Sequence, residues 1–263
     1  MHFTKMHGLG NDYLYVYGEA PENVSALSVR LSDRHFGAGS DGMIYISPSK
    51  VADFRMRIFN ADGSEAMMCG NGIRCVGKYV FDKGYTDKTL LKIETRSGIK
   101  TLRLQIAGGK ATGASVDMGT AVVSPDITLN AEGTVLTGTP VNVGNPHVVI
   151  FVDNAEEVPL TRWGPLIEHD PAFPDGVNVE FVQMLSERVM RMRVWERGSG
   201  VTMACGTGSC ASVAAAVKKN ICRSGADISV HLDGGTLKVR VDKDGAVTMT
   251  GPAQTVYEGE TAL

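Results

Sequence analysis

Two stretches decide the fold: Met56-Arg57-Ile58-Phe59-Asn60 and Met192-Arg193-Val194-Trp195-Glu196 are two versions of one segment. Continued forward without gaps, the first reaches Cys69-Gly70-Asn71-Gly72 and the second Cys205-Gly206-Thr207-Gly208. The spacing between the copies is 136 residues at both ends, from Met56 to Met192 and from Cys69 to Cys205. Weaker echoes extend outward in the same order. Gly10-Asn11 answers to Gly144-Asn145, Phe36 and Gly39 to Phe173 and Gly176, and Thr101-Leu102 to Thr236-Leu237. Such a series at a nearly fixed period marks an internal duplication. Two pseudo-symmetric lobes are therefore expected, residues 1–117 with Cys69 and residues 118–263 with Cys205, joined around residues 118–135. The tail 252–263 has no counterpart, and completing a sheet of the N-terminal lobe is one role open to it.

Within each copy the pattern is mostly strand. Residues 54–59 and 189–195 alternate apolar with polar, as half-buried strands do. Residues 90–95 and 228–232 read the same way, and Gly108-Gly109, Gly234-Gly235 and Asp244-Gly245 mark turns between strands. One helix per copy is expected after each Cys-Gly-x-Gly, over residues 73–83 and 209–218. The second of these runs Ala211-Ser212-Val213-Ala214-Ala215-Ala216-Val217, apolar on nearly every face, which is the signature of a buried helix. The fold class is α+β, each lobe a strand-rich sheet or barrel wrapped around a central helix.

Cys69 and Cys205 both stand at a loop-to-helix transition. A helix start offers unpaired N–H groups and the positive end of the backbone dipole, which favour a thiolate and also bind a carboxylate. A pseudo-two-fold brings the two starts into the cleft between the lobes, a usual place for a ligand. An α-amino acid held there by its carboxylate exposes its α-carbon to both sulfurs. One thiolate removes the α-proton; the opposite thiol returns one to the other face. His147 and Glu196 are candidates to tune the thiols. Glu196 corresponds to Asn60 in the first copy, so the two halves are chemically unequal, as a substrate with unlike ends requires.

Composition narrows the setting. The chain has 263 residues, 43% hydrophobic and 21% charged, with 26 basic and 29 acidic residues and a net charge of −3. These values suit a globular protein with a sizeable core. There is no basic stretch to hold nucleic acid. Neither a signal peptide nor an apolar run long enough for a membrane is present, so a cytoplasmic location is expected. Five cysteines, an odd number at low density, are expected as thiols rather than disulfides.

From end to end the sequence resembles the diaminopimelate epimerase family. Gly8-Leu9-Gly10-Asn11-Asp12-Tyr13 is similar to its N-terminal signature. Phe59-Asn60-Ala61-Asp62-Gly63-Ser64-Glu65, leading to Cys69-Gly70-Asn71-Gly72-Ile73-Arg74-Cys75, resembles the first active-site segment. Gly144-Asn145-Pro146-His147 matches a further segment, and Glu196-Arg197-Gly198-Ser199-Gly200 leads to the second cysteine. The resemblance implies interconversion of LL- and meso-2,6-diaminopimelate with no cofactor and no metal. It assigns Cys69 and Cys205 as the acid/base pair, modulated by His147 and Glu196. Asn11, Asn60, Asn145, Asn178, Glu196 and Arg197 are implied to hold substrate, with backbone donors from Gly70, Asn71, Gly206 and Thr207. Tyr257 matches a tyrosine tied to dimer formation, which implies a homodimer. One departure stands out: some members carry glutamine where this chain has Gly42, which removes a side-chain contact there.

Plainer readings stand beside these. Cys75, Cys210 and Cys222 read as core thiols. His147 follows Pro146 in an apolar stretch and, without the resemblance, reads as a satisfied structural histidine. Glu196 could pair with Arg197 at the surface. Two other functions remain open: a proline or hydroxyproline racemase on the same fold, and a thiol-based metal or redox module. Proline leaves Arg197 and the asparagines nothing distal to grip, and metal content of the purified protein separates the last.

Overall fold

A computed structural model describes residues 1–262. The elements run β1 (His2–Gly8), β2 (Asn11–Tyr17), α1 (Val24–Ser32), β3 (Gly42–Pro48), β4 (Phe54–Asn60), β5 (Glu65–Ala66), α2 (Gly70–Asp82), β6 (Leu90–Thr95), β7 (Gly98–Ala107) and β8 (Lys110–Thr120). They continue as β9 (Val122–Val123), β10 (Ile127–Ala131), β11 (Thr134–Asn142), β12 (Pro146–Phe151), α3 (Leu160–Glu168), β13 (Asn178–Ser186), β14 (Val189–Glu196), β15 (Gly200–Val201), α4 (Gly206–Lys218), β16 (Asp227–Leu232), β17 (Gly235–Val241), β18 (Ala246–Pro252) and β19 (Gln254–Glu260). The chain divides into two compact units. One is Met1–Asp117 together with the chain from Thr250 onward; the other is Met118–Met249.

The first unit pairs β2 with β3 in parallel, β3 with β4 antiparallel, β4 with β6 in parallel, and β6 with β7 antiparallel. The second repeats that order with β12, β13, β14, β16 and β17: parallel, antiparallel, parallel, antiparallel. The helices repeat as well, α1 with α3 and α2 with α4, each pair 136 residues apart at its first residue. The duplication read from the two cysteine segments is thus a duplication of topology. In the first unit β19 pairs antiparallel with β1, setting His2 opposite Glu260.

Each unit buries one face of its sheet under the shorter helix and the other under the longer one. Leu14, Val16, Met43, Tyr45 and Phe59 pack with Val24, Leu27 and Leu31 of α1. Val148, Ile150, Val179 and Phe181 pack with Leu160 and Ile167 of α3. Helix α4 touches β9, β11, β12, β13, β14 and β17. Its alanines and serines are buried on every side, because only small side chains let strands close on all faces of a helix.

Two local expectations are corrected. Both long helices start three residues earlier than residues 73 and 209, directly after the cysteine. Each unit also has a second helix, α1 or α3, which the chain's own pattern conceals. In α3, Gly164 and Pro165 argue against a helix. Gly164 is there because a Cβ would lie 2.5 Å from Trp195 Cγ, so packing against the indole overrides propensity.

Candidate active site

Cys69 and Cys205 are each the N-cap of a long helix. Cys69 and Cys205 are extended, at φ −136° and −113°, and each Sγ accepts a hydrogen bond from the amide three residues on, Gly72 or Gly208, at 3.3 Å. Sulfur takes the place that serine or aspartate oxygen usually fills. The second glycine of Cys-Gly-x-Gly has a steric cause. A Cβ at Gly72 would lie 2.7 Å from Ile44 Cδ1, and one at Gly208 2.6 Å from Glu180 Oε1. The helix start sits directly on the parallel strand, β3 in one unit and β13 in the other.

In the first unit, the Cys69 thiol donates to Asn11 Oδ1 at 3.3 Å. Asn11 is oriented by Asp41, whose Oδ2 accepts from Asn11 Nδ2 at 2.8 Å and from the Asp12 amide at 3.0 Å. Arg34 bridges Asp12 and Asp41, and Lys5 lies 2.9 Å from Asp12. These two cations hold the Asp12 carboxyl below its usual range although burial alone would raise it. Tyr13 is buried, which with the neighbouring thiol pushes its phenol well up; its hydroxyl bonds with both Asn11 and Cys69. Asn71, in the first turn of α2, accepts from the fully buried Arg74, whose guanidinium also holds the Gly70 and Pro252 carbonyls. Asn60 bonds Ser64 in the turn after β4, 3.1 Å away. Gly42 lies opposite Asn60 at φ +152°, and a Cβ there would meet Phe59 O at 2.2 Å. No side chain fits at that position, which accounts for the absence of a glutamine.

The second unit builds a longer chain of hydrogen bonds. His147 is fully buried; its Nδ1 lies 2.7 Å from Glu180 Oε1, and its Nε2–H donates to Asn145 Oδ1 at 3.0 Å. Asn145 Nδ2 donates to Thr207 Oγ1 at 3.3 Å. The Thr207 hydroxyl lies 3.5 Å from Cys205 Sγ. Glu196 turns toward the same sulfur and accepts from the Thr202 hydroxyl. It does not pair with Arg197, so the plain surface reading is not what the structure has. Burial pushes the Glu196 carboxyl up.

The expected depression of the thiol at Cys205 is overturned. Burial first, then the Glu196 and Glu180 carboxylates, push it well above an ordinary cysteine, and the Thr207 and Gly208 hydrogen bonds offset only part of that. A helix start alone does not set the balance when the sulfur is desolvated beside two acids. Asn178 is tied into the frame: its Nδ2 donates to Pro146 O at 2.8 Å and its Oδ1 accepts from the Arg197 amide at 3.0 Å. Arg197 is exposed, its guanidinium 2.9 Å from the Asp175 carbonyl and its stem against Gly176. Gly206 and Thr207 open α4 as Gly70 and Asn71 open α2.

Tyr257 lies apart on β19, half-exposed, its hydroxyl donating to Ala38 O and its ring edge-on to Phe3. Burial raises the Cys75 thiol to about 11 and also raises Cys222, which fits both as inert core thiols. Among the described residues no cluster of three or more histidine, cysteine or acidic side chains is placed to hold a metal ion. Glu180 was not singled out from the sequence. The signal available was a carboxylate set between Val179 and Phe181-Val182, 136 residues from Ile44.

The chain matches the family model described as diaminopimelate epimerase over residues 3–124 and 139–256. It is 48% identical to a diaminopimelate epimerase of Acetivibrio thermocellus, covering 100% of this chain and 99% of that one. It is 50% identical to one of Phocaeicola vulgatus, covering 99% and 98%. A crystal structure of a probable proline racemase from Agrobacterium radiobacter shares the fold at a TM-score of 0.76, with 17% identity over 100% of this chain and 93% of that one. That likeness shows the fold alone, and it is the agreement in sequence over the whole length that decides: the chain belongs to the diaminopimelate epimerase family.

Proposed function

We propose that this chain interconverts LL- and meso-2,6-diaminopimelate by two-base proton transfer between Cys69, Cys205 and the substrate α-carbon, without a cofactor. The observation that carries the reading is the repeated arrangement of a thiol capping a helix start, once in each unit. The substrate carboxylate binds amides of the first turns, at Gly70-Asn71 and Gly206-Thr207. One sulfur, as thiolate, takes the α-proton; the electron pair is delocalised toward the carboxylate held at the helix starts. The other sulfur gives its proton to the opposite face, so one thiol and one thiolate exchange roles with each turnover. Burial and two carboxylates favour the protonated form of Cys205 in the ligand-free protein, which suits it to give a proton to a carbanion formed by the other thiolate. Arg197, Glu196 and the side chains of Asn11, Asn60, Asn145 and Asn178 supply the unequal contacts for the far end of the substrate. A distal carboxylate suits the forked guanidinium of Arg197. The protein works in the cytoplasm as a homodimer with Tyr257 at the interface, and its product serves lysine and peptidoglycan synthesis.

The test is incubation of purified protein with LL-diaminopimelate, L-lysine and L-proline in deuterated water. Deuterium should enter the α-position of diaminopimelate as the meso form appears, and neither of the others should exchange appreciably. Cys69→Ala and Cys205→Ala should each abolish turnover while Cys222→Ala does not. Equal racemisation of lysine or proline, or full activity without Cys205, would overturn the reading.

A further inference from the structure

Glu180 is a buried carboxylate to which the proposed chemistry gives no contact with substrate. Its side chain is fully buried on β13, one oxygen 2.7 Å from His147 Nδ1 and the other, Oε2, without a hydrogen-bond partner. A carboxylate left half-satisfied in the interior is costly, so something must retain it. Packing does not. The equivalent place in the first unit is Ile44, which lies under Gly72 as Glu180 lies under Gly208, at nearly the same distance from the glycine's missing Cβ. An apolar side chain fills this position in one copy of the fold, so the acid in the other is there for its hydrogen bond. The first unit also has Tyr13 where the register of the parallel strands places His147, each two residues after its asparagine, Asn11 or Asn145.

The hydrogen bonds fix a direction. Asn145 Oδ1 can only accept, so His147 Nε2 carries a hydrogen. Asn145 Nδ2 donates to Thr207 Oγ1, so the Thr207 hydroxyl keeps its hydrogen and can donate it to Cys205 Sγ when that sulfur is a thiolate. His147 keeps this orientation only if its other nitrogen is held, and Glu180 is the group that holds it. We infer that Glu180 is a positioning residue: through His147, Asn145 and Thr207 it aims a hydroxyl donor at Cys205, ready for the half of the exchange in which that sulfur is the thiolate. This rests on the proposed reaction. Glu180 has no exposed atom with which to touch substrate.

The test compares Glu180→Ile, Glu180→Gln, His147→Ala and the His147→Ala/Glu180→Ile double variant. Glu180→Ile reproduces the first unit's residue and should fold; Glu180→Met, closer in length, repeats the measurement should it not. With Ile or Met, kcat should fall by about tenfold or more with KM within about twofold. Glu180→Gln, of equal length and able to bond Nδ1, should restore most of kcat. The double variant should be no slower than His147→Ala, because Glu180 acts only through the imidazole. In proton NMR, a hydrogen-bonded His147 Nε2–H resonance should be present in the wild type and shifted or lost in Glu180→Ile, with or without substrate. Wild-type kcat in Glu180→Ile, additive losses in the double variant, or a resonance unchanged by the substitution would overturn the assignment. A wild type inactive on diaminopimelate would instead tell against the proposed reaction, and the NMR comparison would still decide for or against the pair.

Discussion

At the scale of single residues, the five cysteines separate by what surrounds them. Cys69 and Cys205 cap helices and meet polar partners; Cys75 is wholly buried within α2, beneath Tyr15. Burial raises its thiol from 9.0 to about 11, against a smaller opposing pull from Arg74. The consequence for stability has a definite sign. The folded state prefers the protonated thiol, so the contribution is complete below pH 9 and is lost as pH rises from 9 toward 11. A shift of that size corresponds to about 2–3 kcal/mol once the loss is complete. Urea unfolding of wild type and Cys75→Ala at pH 8 and pH 10.5 should show the variant less stable at pH 8 and the gap narrowing at pH 10.5. A constant gap would show that folding does not shift this thiol. The two cysteines proposed as the reacting pair already stand apart in the sequence, since only Cys69 and Cys205 are followed by Gly-x-Gly. Their electrostatic balance was not legible there, because it depends on Glu180 and Glu196, which reach Cys205 from different strands.

At the scale of elements, the junction between a helix start and its parallel strand is a close joint in each unit. Gly72 and Gly208 leave no room for a methyl group. Alanine normally favours a helix over glycine by about 1 kcal/mol, but here crowding outweighs it. Gly72→Ala should destabilise by about 1–3 kcal/mol by pressing on Ile44. Gly208→Ala should cost a similar amount and in addition lower kcat, since it presses on the carboxylate that holds His147. Thermal unfolding and steady-state kinetics on the two variants separate these effects; equal kinetic losses in both would show that the acid has no special part. The long helices were readable from their apolar runs, yet their first turns were not. Gly-Asn-Gly and Gly-Thr-Gly have poor helix propensity and read as loop, and only the capping sulfur makes them helical. Helix α1 was hidden for a similar reason: three serines in nine residues and an Asn23 cap with no side-chain bond leave a weak local pattern, stabilised by packing of Val24, Leu27 and Leu31 on the sheet.

At the scale of the whole molecule, the duplication accounts for most of what could be read early. A constant interval of 136 residues carries strand order, helix placement and both thiols together. Departures from it fall where the two units differ in charge: Ile44 against Glu180, Asn60 against Glu196, Arg74 against Cys210. The duplicated frame is kept where sterics close it and abandoned where charge is needed.

The pairing of the first and last strands also has a topological consequence. Met1 and Thr261 exchange two backbone hydrogen bonds, at 2.6 and 3.0 Å, at the end of the β1–β19 ladder. A short glycine-serine bridge can therefore join the two ends, and the chain can be reopened at Gly108-Gly109. Both of those residues are exposed with positive φ, and a Cβ there would meet nothing within 4 Å. Such rewired chains succeed where the joined ends are close and the new break falls at an exposed loop tip. The permutant should keep the wild-type circular dichroism spectrum and cooperative unfolding. A non-cooperative melt would show that the β7–β8 hairpin must stay covalently closed for this fold to form, whatever the proximity of its ends.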